Sequence, residues 1–184
     1  MAKASDLHKE LSIRAISWMN SRMTVAGVRW ATEFQVKQGW VADCVAFGFP
    51  QIRFFDKIQK ISNHSEAIDV WKKNGYPDAF MHLFESKVSR QDFLKSFGKN
   101  GNKHELIGHL NYIITPKDLI KEDELPEGWG WLIKSGNGLR EIVTPKLNQV
   151  TDEFRYEIGY KMLWSAYSHR ASIEDWELKE GYLF

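Results

Sequence analysis

The sequence predicts a single α/β domain. Three observations carry this: an amphipathic helical pattern opens the chain, a series of short β-branched and aromatic runs follows, and a sharply capped helix lies between two of those runs. The chain has 184 residues, which suits one domain. With 43% hydrophobic and 27% charged residues, its composition is that of an ordinary globular protein and excludes disorder, collagen-like repetition and coiled coil.

The elements follow in order. Leu7, Leu11, Ala15 and Trp18 recur at three to four residues, so residues 5–20 read as a helix that Ser5 can cap. Val28 to Val36 and Trp40 to Phe47 are two strands joined through Lys37-Gln38-Gly39, a hairpin pattern. Residues 48–78 or so read as an insertion, with Glu66 to Asn74 as a short helix ending at Gly75. Ala79 to Val88 is a further strand. After it, Ser89-Arg90-Gln91-Asp92 has the spacing of a capping box and starts a helix. Leu110 to Thr115 is a strand stopped by Pro116. Trp129 to Lys134 and Leu139 to Val143 form a hairpin around Ser135-Gly136-Asn137-Gly138. Phe154, Ile158, Met162 and Ala166 give helical spacing to Glu153 to His169. No repeat, low-complexity tract or linker divides the chain, so one domain over residues 1–184 is expected.

Composition also bounds function. The longest apolar run, Val41 to Phe49, is broken by Asp43, and none reaches the length of a membrane span. The opening MAKASDLHKE lacks the apolar stretch of a secretory signal, and one cysteine, Cys44, excludes an internal disulfide and a Cys-based zinc site. A reduced, cytoplasmic setting is expected. The 25 basic and 24 acidic residues give a net charge of +1, so a nucleic-acid partner would be held by a local patch rather than a bulk field.

Asp43, Glu85 and Lys87 interrupt strands where apolar residues are expected. Because side chains alternate, Glu85 and Lys87 share one face while Phe84, Ser86 and Val88 take the other. A charge in a strand interior is costly unless it is paired or binds a metal. Two carboxylates with a lysine satisfy one another, and they form a donor set for Mg²⁺, which takes one or two carboxylates and keeps several waters. In that arrangement Asp43 and Glu85 hold the metal, which acidifies a bound water and neutralises phosphate charge. Lys87 stabilises the attacked phosphoryl group electrostatically. Glu33, in the preceding strand, is a third carboxylate that could orient a water or a second metal. Taken alone, Glu85-Ser86-Lys87 also fits the polar face of an exposed edge strand, and Glu33 fits a half-exposed one.

Glu33, Asp43 in GWVADCVAF and Glu85-Ser86-Lys87 in FESKVSRQDF form an ordered pattern that resembles the PD-(D/E)XK nuclease superfamily. The run FESKVSRQDFLKSFG, then LNYIITPKDLI and ELPEGWGWLI, is similar to the MmcB-like DNA-repair branch and related uncharacterised phage and bacterial proteins. The likeness covers roughly residues 28–48 and 80–145. It departs from the pattern in having Ala42, not Pro, before Asp43, and in the longer segment at residues 48–78. The resemblance implies a restriction-endonuclease-like core, with a central mixed β-sheet flanked by helices, and Mg²⁺- or Mn²⁺-dependent hydrolysis of phosphodiester bonds in DNA, in repair or phage DNA metabolism. Asp43 and Glu85 are then metal ligands, Lys87 the catalytic lysine and Glu33 an auxiliary acid. The setting it implies is a bacterial cell or phage-infected host, and it admits a homodimer. The alternative from another class is a catalytically inactive nucleic-acid-binding or assembly protein that keeps the nuclease fold. A plain interaction domain would bind no divalent metal.

Other features complete the reading. Lys87, Arg90, Lys95, Lys99 and Lys103 against Asp92 make a basic stretch whose helix and following loop are placed on the DNA backbone, with Arg90, Lys95, Lys99 and Lys103 as the contacts. A solvated helix face is the plainer account of the same charges. His104-Glu105 with His109 fails as a zinc HExxH helix, because the second His is one residue too far along and sits roughly 140° around from the first. Trp30, Trp129, Trp131 and Trp164 are assigned to core packing, while Trp40 and Trp71 border loops and are open to base stacking. Cys44 reads as an inert core residue. Asn111 and Tyr112 receive no role.

Overall fold

The computed structural model describes residues 4–21, 29–48, 73, 80–99 and 101–170. The segment read as an insertion, residues 48–78, lies outside the described residues apart from Gly48 and Lys73, and so does Trp71. The chain divides into two compact units, residues 1–149 and 150–184. The first holds every described strand and all the candidate site residues. The second contains the helix α3 (Asp152–Arg170).

The first unit runs α1 (Ala4–Asn20), β1 (Arg29–Lys37), β2 (Trp40–Gly48), β3 (Phe80–Ser86), α2 (Arg90–Phe97), β4 (Leu110–Thr115), a 3-10 turn at Glu122–Glu124, β5 (Gly130–Ser135) and β6 (Gly138–Val143). The strands form one six-stranded mixed sheet in the order β1-β2-β3-β4-β5-β6. β1, β2 and β3 pair antiparallel, β3, β4 and β5 pair parallel, and β6 is antiparallel to β5. Turn chemistry sets the antiparallel joints. Gly39 and Gly136 both have positive φ, 76° and 55°, in two-residue loops that a side chain would strain. The parallel joint from β3 to β4 needs a crossover, which α2 supplies.

β3 and β4 lie inside the sheet, and every residue of each is buried. This matches their near-continuous apolar runs. One face of the sheet packs on α1. Leu11, Ala15, Trp18 and Met19 form a buried cluster with Cys44, Ala46, Phe84, Tyr112, Ile114 and Leu132. Trp18 meets Tyr112 edge-on at 5.3 Å, and Phe84 stacks on Tyr112 at 5.3 Å. The opposite face carries Glu85 and Lys87, and there α2 brings Asp92 and Phe97 against Lys87. The alternation read from the sequence therefore holds: Phe84 and Ser86 face α1, and Glu85 faces α2.

Local details refine the expectations. α1 begins at Ala4, which puts Ser5 inside its first turn. Ser89 caps α2 by accepting the Asp92 N–H at 3.2 Å. The Asp92 carboxylate is directed at the Lys87 ammonium, 3.7 Å away, so it serves the site as well as the helix start. No helix among the described residues is long and apolar enough to cross a membrane.

Candidate active site

The sheet register aligns the candidate acids. Thr32↔Cys44 and Phe34↔Ala42 flank Glu33 and Asp43, so those two stand opposite each other across β1 and β2. The β2–β3 ladder ends at Cys44↔Phe84, and one step further Asp43 comes opposite Glu85. Glu33, Asp43 and Glu85 thus lie in one row across three adjacent strands, with Ile113 of β4 next in line.

At this row the ladder opens. Asp43 substitutes its side chain for the missing backbone partner, and its Oδ2 accepts the Ser86 N–H at 2.6 Å. This puts the carboxylate in the gap between two strands, where both faces of the sheet can reach it. From α1, His8 Nε2 approaches the same oxygen at 3.2 Å. The hydrogen bond to Asp43 raises the His8 pKa above the ordinary histidine value, against the smaller opposing effect of burial.

Glu85 has no solvent exposure, yet both its oxygens are engaged. Trp40 Nε1 donates to Oε1 at 2.9 Å, Lys103 Nζ donates to the two oxygens at 2.8 and 2.7 Å, and Lys87 Nζ stands 3.5 Å from Oε2. Burial pushes the Glu85 pKa up and Asp43 pushes it further, while Lys103 and Lys87 oppose both. Lys87 is only 4% exposed, and its ammonium lies 5.9 Å above the Phe97 ring. Burial of Glu85 and Lys87 in a central strand and just past its end overturns the edge-strand account of this triplet.

The structure brings together Asp43, Glu85 and Lys87. Glu33 shares their row but its side chain is exposed, and none of the hydrogen bonds and ion pairs described above includes it. Its φ of 49° lies in the left-handed region, a sparsely populated conformation for a non-glycine residue in a strand.

The basic residues separate into two kinds. Arg90 forms a two-pronged pair with Glu124, one bond at 2.7 Å, and Lys103 is turned inward onto Glu85 and the Val41 carbonyl at 3.0 Å. Lys95 and Lys99 are exposed. Trp40 is buried and spends its N–H on Glu85, so it is not an open stacking platform. Trp129 and Trp131 are buried as read. The side chain of Trp164 lies outside the described residues. Burial raises the Cys44 thiol to about 12, as suits an inert core residue. His104 and His109 are not on a helix. His104 Nε2 contacts the Gly98 carbonyl at 3.0 Å, and His109 Nδ1 accepts the Met81 N–H at 2.9 Å. Asn111 also has a structural role, as its amide closes the 107–111 turn through Ile107 N, Gly108 N and Gly108 O.

Four participants escaped the sequence reading: His8, Trp40 as a donor, Asp92 as a second partner of Lys87, and Lys103 as the counter-ion of Glu85. Charge balance was the available signal for the last. A fully buried carboxylate calls for close cationic partners, and Lys87 comes no nearer to Glu85 than 3.5 Å.

The donors offered at the site are carboxylates and one carbonyl, all hard oxygens. Among the described residues no group of three or more His, Cys, Asp or Glu side chains is arranged to hold a metal. A Mg²⁺ site of one or two carboxylates with waters does not need one. The Lys103 ammonium is seated on both Glu85 oxygens and the Val41 carbonyl.

Comparison with known proteins locates the fold alone. No protein-family model matches the chain, and no curated protein matches it. A solved structure of a protein of unknown function from Silicibacter pomeroyi aligns with a TM-score of 0.53 over 94% of this chain and 97% of that one, at 13% identity. The α/β architecture, a mixed sheet with helices, is shared with that protein.

Proposed function

We propose that the protein is a metal-dependent nuclease that hydrolyses phosphodiester bonds in DNA. The observation supporting this most is the convergence of Asp43, Glu85 and Lys87 where the β2–β3 ladder opens, with Glu85 and Lys87 buried. A purely structural protein gains little by burying a carboxylate and a lysine together beside a second carboxylate. Such a group is often no more stable than apolar residues of similar volume.

In this reading Asp43 and Glu85 hold Mg²⁺ or Mn²⁺, and the oxygen-only donor set and the cation already seated at Glu85 suit a hard ion. When bound, the cation supplies an acidified water and neutralises charge on the phosphate. The chain's own residues do the rest. Trp40 fixes the Glu85 carboxylate through its N–H, and the Ser86 N–H fixes Asp43, so neither ligand has to be ordered when substrate arrives. Lys87 presents its ammonium beside Glu85 to the developing phosphoryl charge, in a place largely shielded from water. Exposed Lys95 and Lys99, on and just after α2, meet the DNA backbone next to the site.

Incubation of labelled single-stranded, duplex and branched DNA with the protein in Mg²⁺, Mn²⁺ or EDTA tests the reading. Cutting with either metal and none in EDTA is the expected result. Metal-independent DNA binding without cutting of any substrate would instead favour the inactive binding protein.

A further inference from the structure

We infer that Lys103 is a built-in counter-ion that occupies the cation position at Glu85 and leaves it when a divalent metal binds. The inference rests on the metal-dependent reading of the site and adds its regulation: metal and lysine exchange at one carboxylate. Lys103 Nζ lies 2.8 and 2.7 Å from the two Glu85 oxygens and 3.0 Å from the Val41 carbonyl, with the Trp40 ring centroid 5.6 Å away. Three oxygens converging on one ammonium are the environment a hard cation takes, and a cation already there blocks another.

Electrostatics favours exchange over coexistence. The Lys103 ammonium touches both Glu85 oxygens, so a divalent ion on the same oxygens would lie in contact with a like charge in a buried place. Turning Lys103 out removes that repulsion and frees the oxygens for the metal.

The chain is built to permit the release. Lys103 follows α2 in a loop whose backbone is tied down by Gly98 N–H to Leu94 O at 2.9 Å, Gly101 N–H to Gly98 O at 2.7 Å and Lys103 N–H to Ser96 O at 3.0 Å. Only its side chain has to turn, and that side chain is 16% exposed where Glu85 is fully covered. A rotation about its flexible stem carries the ammonium from Glu85 to the surface beside Lys95 and Lys99, where it joins the contacts to the phosphate backbone. Lys87, held between Glu85 and Asp92, stays.

Lysine acetylation of the wild-type protein, read by peptide mass spectrometry in EDTA and in Ca²⁺ or Mn²⁺, reports the exchange directly. Lys103 is expected to be protected in EDTA and to label like exposed Lys99 once metal is bound, with Lys87 protected throughout. In parallel, Lys103→Met should bind Mn²⁺ about tenfold more tightly than wild type by calorimetry, the size of a typical coupling between competing ligands. The labelling result stands by itself if that variant does not fold. Metal binding by wild type with no change at Lys103, or unchanged affinity in a folded Lys103→Met, overturns the exchange and leaves the nuclease reading intact. No metal binding by either protein overturns both.

Discussion

Lys87→Ala is expected to lower the rate of DNA cleavage by roughly 10²- to 10³-fold, the scale for removing one group aimed at developing charge. The loss should appear in kcat, because the ammonium acts on the transition state and not on the resting phosphodiester. Its environment explains the size. Lys87 is 4% exposed, lies between Glu85 at 3.5 Å and Asp92 at 3.7 Å, and caps the Phe97 ring, so its charge acts in a place largely shielded from solvent. Glu85 keeps Lys103 and Trp40 as partners in the variant, and the carboxylates remain able to bind metal. Thermal stabilisation by Mn²⁺ should therefore survive. Single-turnover cleavage beside a metal titration checks both halves. Cleavage within a few-fold of wild type would remove Lys87 from the chemistry.

Asp43 has two duties, and two substitutions separate them. Asp43→Ala should destabilise the protein by about 1–3 kcal/mol, because the buried Ser86 N–H loses its acceptor beyond the end of the β2–β3 ladder. For a chain of this length each kcal/mol lowers Tm by roughly 2–4 °C. Asp43→Asn keeps one oxygen that can accept from both the Ser86 N–H and His8 Nε2, so its Tm should stay near that of wild type. Both variants lose the carboxylate, and both should lose metal-induced stabilisation and cleavage. Thermal melts with and without Mn²⁺ read all of this. Equal destabilisation by Asn and Ala would mean that the charge, not the hydrogen bond, holds the strand junction.

Much of this arrangement was legible because it depends on short-range periodicity. The two-residue alternation in FMHLFES put Glu85 opposite in sense to Phe84 and Ser86, and the Lys37-Gln38-Gly39 joint made β1 and β2 neighbours. Together these give the face that Glu85 takes and the meeting of Glu33 with Asp43. The meeting of Asp43 with Glu85 across β2 and β3 is read instead from the cost of unpaired charge and from the resemblance. What periodicity could not supply is contact between distant elements. Lys103 reaches Glu85 from a loop after α2, and His8 reaches Asp43 from α1. Neither position has a spacing rule. The basic stretch from Lys87 to Lys103 looked like one charged face, yet Lys87 and Lys103 are turned into the site, Arg90 is paired with Glu124, and Lys95 and Lys99 are exposed. Like charges in sequence were sorted by the carboxylates they could reach. Trp40, open to base stacking by its sequence position, is closed to it in the structure for a related reason. It borders a turn, but its indole N–H met a buried acceptor, and a buried Trp tends to settle where such an acceptor exists.

Everything proposed for this site requires one divalent cation shared by Asp43 and Glu85. Anomalous diffraction at the manganese edge, from crystals grown with Mn²⁺, locates that ion without reference to activity. The expected result is a single strong peak between the Asp43 and Glu85 carboxylates, absent from Asp43→Asn crystals prepared in the same way. An Mn²⁺-saturated crystal with no peak at these carboxylates would contradict the metal centre and the nuclease function built on it.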